Sequence, residues 1–143
     1  MKHAIEHMLH SIVGLRIWGI GRAASLLWLQ IGDHQLLISA KGASRELGTY
    51  ALHIDCPWSW MKGGTVVADQ DSDLAELSAL VPVTCRGVVA RESGSFELIF
   101  DDDAKLVVSV EADPDKQADE YWRFFQPAED ESHFVVGSKG IVQ

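Results

Sequence analysis

Three groups of residues have the types and spacing to do chemistry. The densest is Leu52-His53-Ile54-Asp55-Cys56-Pro57-Trp58-Ser59-Trp60, which places a base, a carboxylate and a thiol within four positions and two indoles just beyond. A cysteine nucleophile acts as its thiolate, so it needs a base within reach and a neighbour that depresses its pKa. In an extended strand His53 and Asp55 point to one side and Cys56 to the other, and Lys62 is the only cation nearby in sequence. Cys56 is therefore expected as a buried structural thiol. His53-x-x-Cys56 offers two zinc ligands at most, and a set completed by Cys85 or His133 has no support from spacing.

The second group is His3, His7 and His10, at helical spacing near the start of the chain. Two histidines at i and i+4 can share a metal, but nothing nearby completes a ligand set, so a solvated stripe is expected. The third is Glu120-Tyr121-Trp122-Arg123-Phe124-Phe125-Gln126-Pro127, with four aromatics in five positions. Most of these rings must be buried, because an exposed patch of this size binds or aggregates. Glu120 and Arg123 are spaced to form an ion pair. The residues carried forward for binding are His53, Asp55, Cys56, Trp58, Trp60, Trp122 and Arg123. No catalytic residue, metal or cofactor is assigned, and P-loop, GxGxxG, GxSxG and HExxH patterns are absent from the sequence.

The elements that must position these residues follow from hydrophobic periodicity. Ile5, Met8, Leu9 and Ile12 share one face of a helix that ends before Gly14. Leu27, Leu29 and Ile31 alternate with Leu26, Trp28 and Gln30, a strand whose Trp28 side must also be partly covered; 34–39 is expected to return beside it as a hairpin, with 40–48 as a loop. Tyr50 to Cys56 alternates as a strand stopped by Pro57, and 65–67 adds a short one. Asp73 and Glu76 resemble a capping box before Leu74, Leu77 and Val81, with Pro82 ending the helix. Val83 to Ala90 reads as a strand, and 96–100 and 106–110 form a hairpin across Asp101-Asp102-Asp103. Asp113 and Pro114 predict the start of a third helix, with Ala118, Tyr121, Trp122 and Phe125 as its apolar face and Pro127 at its end. His133 to Val136 is the last strand.

The expected fold is α+β, a single domain over residues 1–143 made mainly of antiparallel hairpins with two or three short helices, the aromatic helix lying across one sheet face. A similar outline in 16–39 and 86–109 suggests an internal two-fold pseudo-repeat, although identities are sparse. A chain of 143 residues buries roughly two thirds of its unfolded surface without needing a metal or disulfide. Two cysteines are too few for a disulfide framework, and no apolar run reaches the ~20 residues of a membrane helix; a cytoplasmic location is expected. Twelve basic against twenty-one acidic residues give a net charge of −9. Such a surface repels nucleic acid and anionic lipid and attracts a basic protein.

The two aromatic motifs together resemble those of a group of small uncharacterised bacterial proteins. In that group a strand ending in His-x-x-Cys-Pro-Trp-Arg precedes a Glu-x-Trp-Arg helix and a His-Phe-Val-Val-like strand, matched here by His53 to Trp58, by Glu120 to Arg123 and by His133 to Val136. Ser59 stands where the group tends to have arginine. Some proteins of this kind are similar to immunity proteins of bacterial toxin systems. The resemblance brings no established activity; the acidic excess and the lack of a reactive constellation lead to the expectation of a non-catalytic protein-binding module, immunity-protein-like, rather than an enzyme. The alternatives are a small-ligand binder or small enzyme using His53, Asp55 and Cys56, and a homodimer joined through sheet edges or the aromatic helix.

Overall fold

The computed structural model describes residues 1–112, 118–129 and 133–142. Thirteen strands and two α-helices are found among them. The helices are α1 (Lys2–Leu9), continued by a 3-10 turn His10–Ile12, and α2 (Leu74–Ser78). The strands are β1 (Arg16–Ala23), β2 (Leu26–Ile31), β3 (Gln35–Ile38), β4 (Ser44–Leu47), β5 (Tyr50–Ile54), β6 (Trp58–Lys62), β7 (Thr65–Asp69), β8 (Val83–Ala90), β9 (Phe96–Phe100), β10 (Ala104–Val108), β11 (Trp122–Phe125), β12 (Phe134–Gly137) and β13 (Gly140–Val142). Eleven strands form one antiparallel sheet in the order β13-β12-β11-β5-β2-β1-β8-β9-β10-β6-β7, and β3 and β4 pair only with each other.

The expected α+β fold is thus corrected to a β-rich one, and the element that decides this is the aromatic segment. Trp122 to Phe125 is a strand, not a helix: it pairs with β5 on one side and β12 on the other. The residues fit period two as well as they fit a helical face. Trp122 and Phe124 point inward and are 0% and 3% exposed, while Arg123 and Phe125 point outward. Fully burying a large apolar side chain is worth roughly 1.5–3 kcal/mol, and aromatic residues fit a pleated surface well, so strand pairing wins. Asp113 and Pro114, the proposed start of that helix, lie outside the described residues.

The pairing of β2 is a second correction. Its neighbours are β1 and β5, while 35–38 turns away to pair with 44–47, which the sequence suggested was loop. A third is β6, which restarts directly after Pro57 and carries Trp58 and Trp60 into the core.

From the middle outward the strand order follows one plan in both directions over five strands, with β13 added at one edge. Each half begins with a helix, then three strands that pair in sequence order (β1, β2, β5 and β8, β9, β10). The next two strands then cross over: β6 and β7 continue the sheet beyond β10, while β11 and β12 continue it beyond β5. The helices exchange as well, α1 packing on β8 and α2 on β1. Backbone bonds repeat in the same way, Asp55 N–H to Tyr121 O at 2.8 Å and Ser109 N–H to Pro57 O at 2.9 Å. Each leading hairpin carries a register shift at the same place, at Ile17/Gly19 and at Cys85/Gly87. The correspondence sets Ile17 against Cys85, two residues away from the offset that pairs Arg16 with Arg86 in sequence.

Between β1 and β8 only two residue pairs form, so the sheet divides there into two halves. Their inner faces share one core, in which Phe96 of β9 meets Trp122 of β11 with ring centres 4.7 Å apart. Trp122 Nε1–H donates to Gly94 O at 2.9 Å, which satisfies the buried indole. Ile5, Leu9 and Ile12 close one end of this core, and Leu77 of α2 another. The capping box on α2 is complete, with Glu76 N–H bonded to Asp73 and Asp73 N–H bonded to Glu76.

Candidate functional site

Of the residues singled out in the sequence, four belong to the core. Trp58, Trp60 and Trp122 are 5%, 2% and 0% exposed, and Trp60 stacks on Phe100. Cys56 is 6% exposed and sits in the same cluster, so it does not meet His53 across a cleft. Cys85 is fully buried, and burial pushes its thiol up to about 11, so it stays protonated at neutral pH. Asp55 lies past the end of β5, where Ser25 Oγ–H donates to its carboxylate at 2.8 Å. Thus His53 is separated from Asp55 and Cys56, which line a different cavity beside Arg22 and Ser25.

His53 and Arg123, by contrast, are brought side by side as cross-strand partners on the outer face of the first half-sheet. Arg123 Nε–H donates to Glu120 at 2.9 Å, and its Nη1 lies 2.5 Å from His133 Nδ1. The Glu120 pair expected for a helix therefore forms at the entry to a strand instead. Phe125 stacks on His133 with ring centres 4.3 Å apart and meets His53 edge-on at 4.9 Å. Burial, then the nearby Arg123 charge, holds the His53 pKa below its ordinary value. His53 is therefore a neutral ring at pH 7, able to accept a hydrogen bond.

On its other side His53 is partnered by Trp28, and the two open onto a cleft of about 870 Å³ also lined by Trp18, Gln30, Arg45 and Glu46. Gly21 lies beneath the Trp28 ring. A Cβ there would fall 2.1 Å from the Trp28 ring, so glycine is what allows the indole to lie flat on β1. Trp18 Nε1–H donates to Gly32 O at 2.7 Å while its ring stacks on His34 at 3.7 Å. His34 in turn bonds Glu46, and Gly48 N–H donates to Gln30 Oε1 at 2.8 Å, so the base of the β3–β4 hairpin is fixed over one side of the cleft.

The internal symmetry supplies a comparison within one chain. Across the first half-sheet one row of cross-strand partners runs Gly21, Trp28, His53, Arg123, Val135. The matching row in the second half runs Val89, Glu97, Val107, Ser59, Asp69. There Glu97 forms a plain ion pair with Lys105 at 3.0 Å. The three-residue turn Asp101–Asp103 joins β9 to β10, where the first half inserts the β3–β4 hairpin between β2 and β5. The shared scaffold needs neither the indole row nor the hairpin, since the second half folds without them.

Sequence reasoning reached His53 and Arg123 but missed Trp18, Gln30, Arg45 and Glu46. Trp28 on the solvent side of an alternating strand was the signal that could have found the cleft. No helix among the described residues is long and apolar enough to cross a membrane. Compared with protein-family models, curated proteins and solved structures, the chain shows no match.

Proposed function

We propose that the chain is a non-catalytic binding module that engages a basic protein partner through the outer face of its first half-sheet. The observation that carries this reading is the asymmetry between two otherwise matching halves: only one has the Gly21–Trp28–His53–Arg123 row and the hairpin above it. Leu36 and Ile38 of the same hairpin are exposed apolar residues, 65% and 70% accessible. A net charge of −9 favours a basic partner and fast encounter with it. Both thiols lie in the core, which supports binding over thiol chemistry.

The test is capture from the native cell with the purified chain as bait, at low and high salt, beside a Gly21→Val bait carrying the residue found at the matching position of β8. A basic protein held by wild type at low salt, released by high salt and held at least tenfold less by Gly21→Val is the expected result. Equal retention by both baits, or retention of no basic protein, overturns the reading.

A further inference from the structure

An acidic chain can attract a basic partner anywhere on its surface, so the chemistry of the cleft itself must say what enters it. Its lining offers two indole rings, the His53 ring and the Glu46 carboxylate, one oxygen of which His34 already engages, while the Gln30 carbonyl is taken by Gly48 N–H. Trp28 is held flat by Gly21 and Trp18 is held by His34 and Gly32, so both rings are set before anything binds. Fixed indoles cost little ordering on binding and attract a cation over the ring face. A guanidinium fits such a site better than an ammonium, because its plane stacks on indole while its N–H groups reach acceptors at the edge.

We propose that the cleft holds the side chain of an arginine carried by the basic partner, stacked against Trp28 and Trp18 and bonded at its edge by Glu46. This rests on the binding-module reading and adds the chemical identity of the anchor. The neutral state of His53 removes one opposing charge and leaves a ring nitrogen to accept. Arg45 is the one formal cation on the lining; it sits on the exposed β4 strand, where its long stem can turn the charge into water.

Arg45 competes with the guest for the cleft, whereas general charge attraction gives it no such part. The indole Nε1–H signals of Trp18 and Trp28 are followed by NMR during titration with Nα-acetyl-arginine amide, and then with the citrulline and leucine analogues. The expected result is a saturable shift of both signals by the arginine compound, with citrulline at least tenfold weaker and leucine without effect. Trp28→Leu abolishes the shift, Glu46→Gln weakens binding about fivefold, and Arg45→Ala strengthens it a few-fold. Equal binding of the citrulline compound, no saturable shift by arginine, or a shift that survives Trp28→Leu overturns the proposal. Retention of an intact basic protein alongside any of these results leaves the binding-module reading standing with a different anchor, so the two failures are told apart.

Discussion

At the scale of the residue, His53 joins several otherwise separate facts. It is the cross-strand partner of both Trp28 and Arg123, it touches Phe125, and it is neutral because it is partly buried beside a guanidinium. A histidine whose folded pKa is depressed binds fewer protons when native than when unfolded. Its contribution to stability is therefore complete above the ordinary value of 6.5 and is lost as pH falls from there toward the lower folded value. Thermal melts between pH 7.5 and 5 should show the wild-type melting temperature falling more steeply than that of His53→Gln. Parallel pH profiles would show that the ring is not held in its neutral form. His53 and Arg123 were legible in the sequence as members of dense motifs. Asp55 and Cys56 beside them were misleading company, because one pleat separates the outer face from the core and the strand ends before either residue.

At the scale of the element, alternation was the reliable guide and helical periodicity the treacherous one. The strands at 50–54, 83–90 and 96–100 were legible because small runs of apolar residues alternated with polar ones. Tyr121 to Phe125 satisfied both periods, and only the two strands waiting on either side of it decide the outcome. Partners distant in sequence are invisible to a local pattern. The crossing of β6 and β11 onto the opposite halves was hidden for the same reason. The α2 cap, being local, was fully readable from Asp73 and Glu76. Its helix has five residues, and Arg22 Nη1–H ties the preceding loop to β1 through Ser72 O at 2.5 Å. Asp73→Ala should lower stability by about 1 kcal/mol, seen as a lower urea midpoint at unchanged m-value. An unchanged midpoint would mean that the tether and the burial of Leu77 hold the helix without its cap.

At the scale of the whole molecule, two half-sheets built to one plan carry different outer faces. The common plan accounts for the core, the exchanged helices and the paired register shifts, all of which any sequence folding this way must specify. What remains is specific to the first half: Gly21 under Trp28, the His53 and Arg123 pair, and the inserted hairpin. The two-fold plan was faintly legible as a repeated outline, but with the wrong offset, because the structurally matching positions carry different residues, as Gly21 and Val89 or Trp28 and Glu97 do. Ile31 and Tyr50 are cross-strand partners, as are Ile99 and Lys105 around the short turn between β9 and β10. The most direct measurement therefore replaces residues 32–49 with that three-residue turn and compares the trimmed chain with wild type for melting behaviour and for binding of the captured basic partner. A chain that still unfolds cooperatively but binds the partner at least tenfold more weakly is the predicted result. Folded chain with undiminished binding would contradict the assignment of recognition to this face.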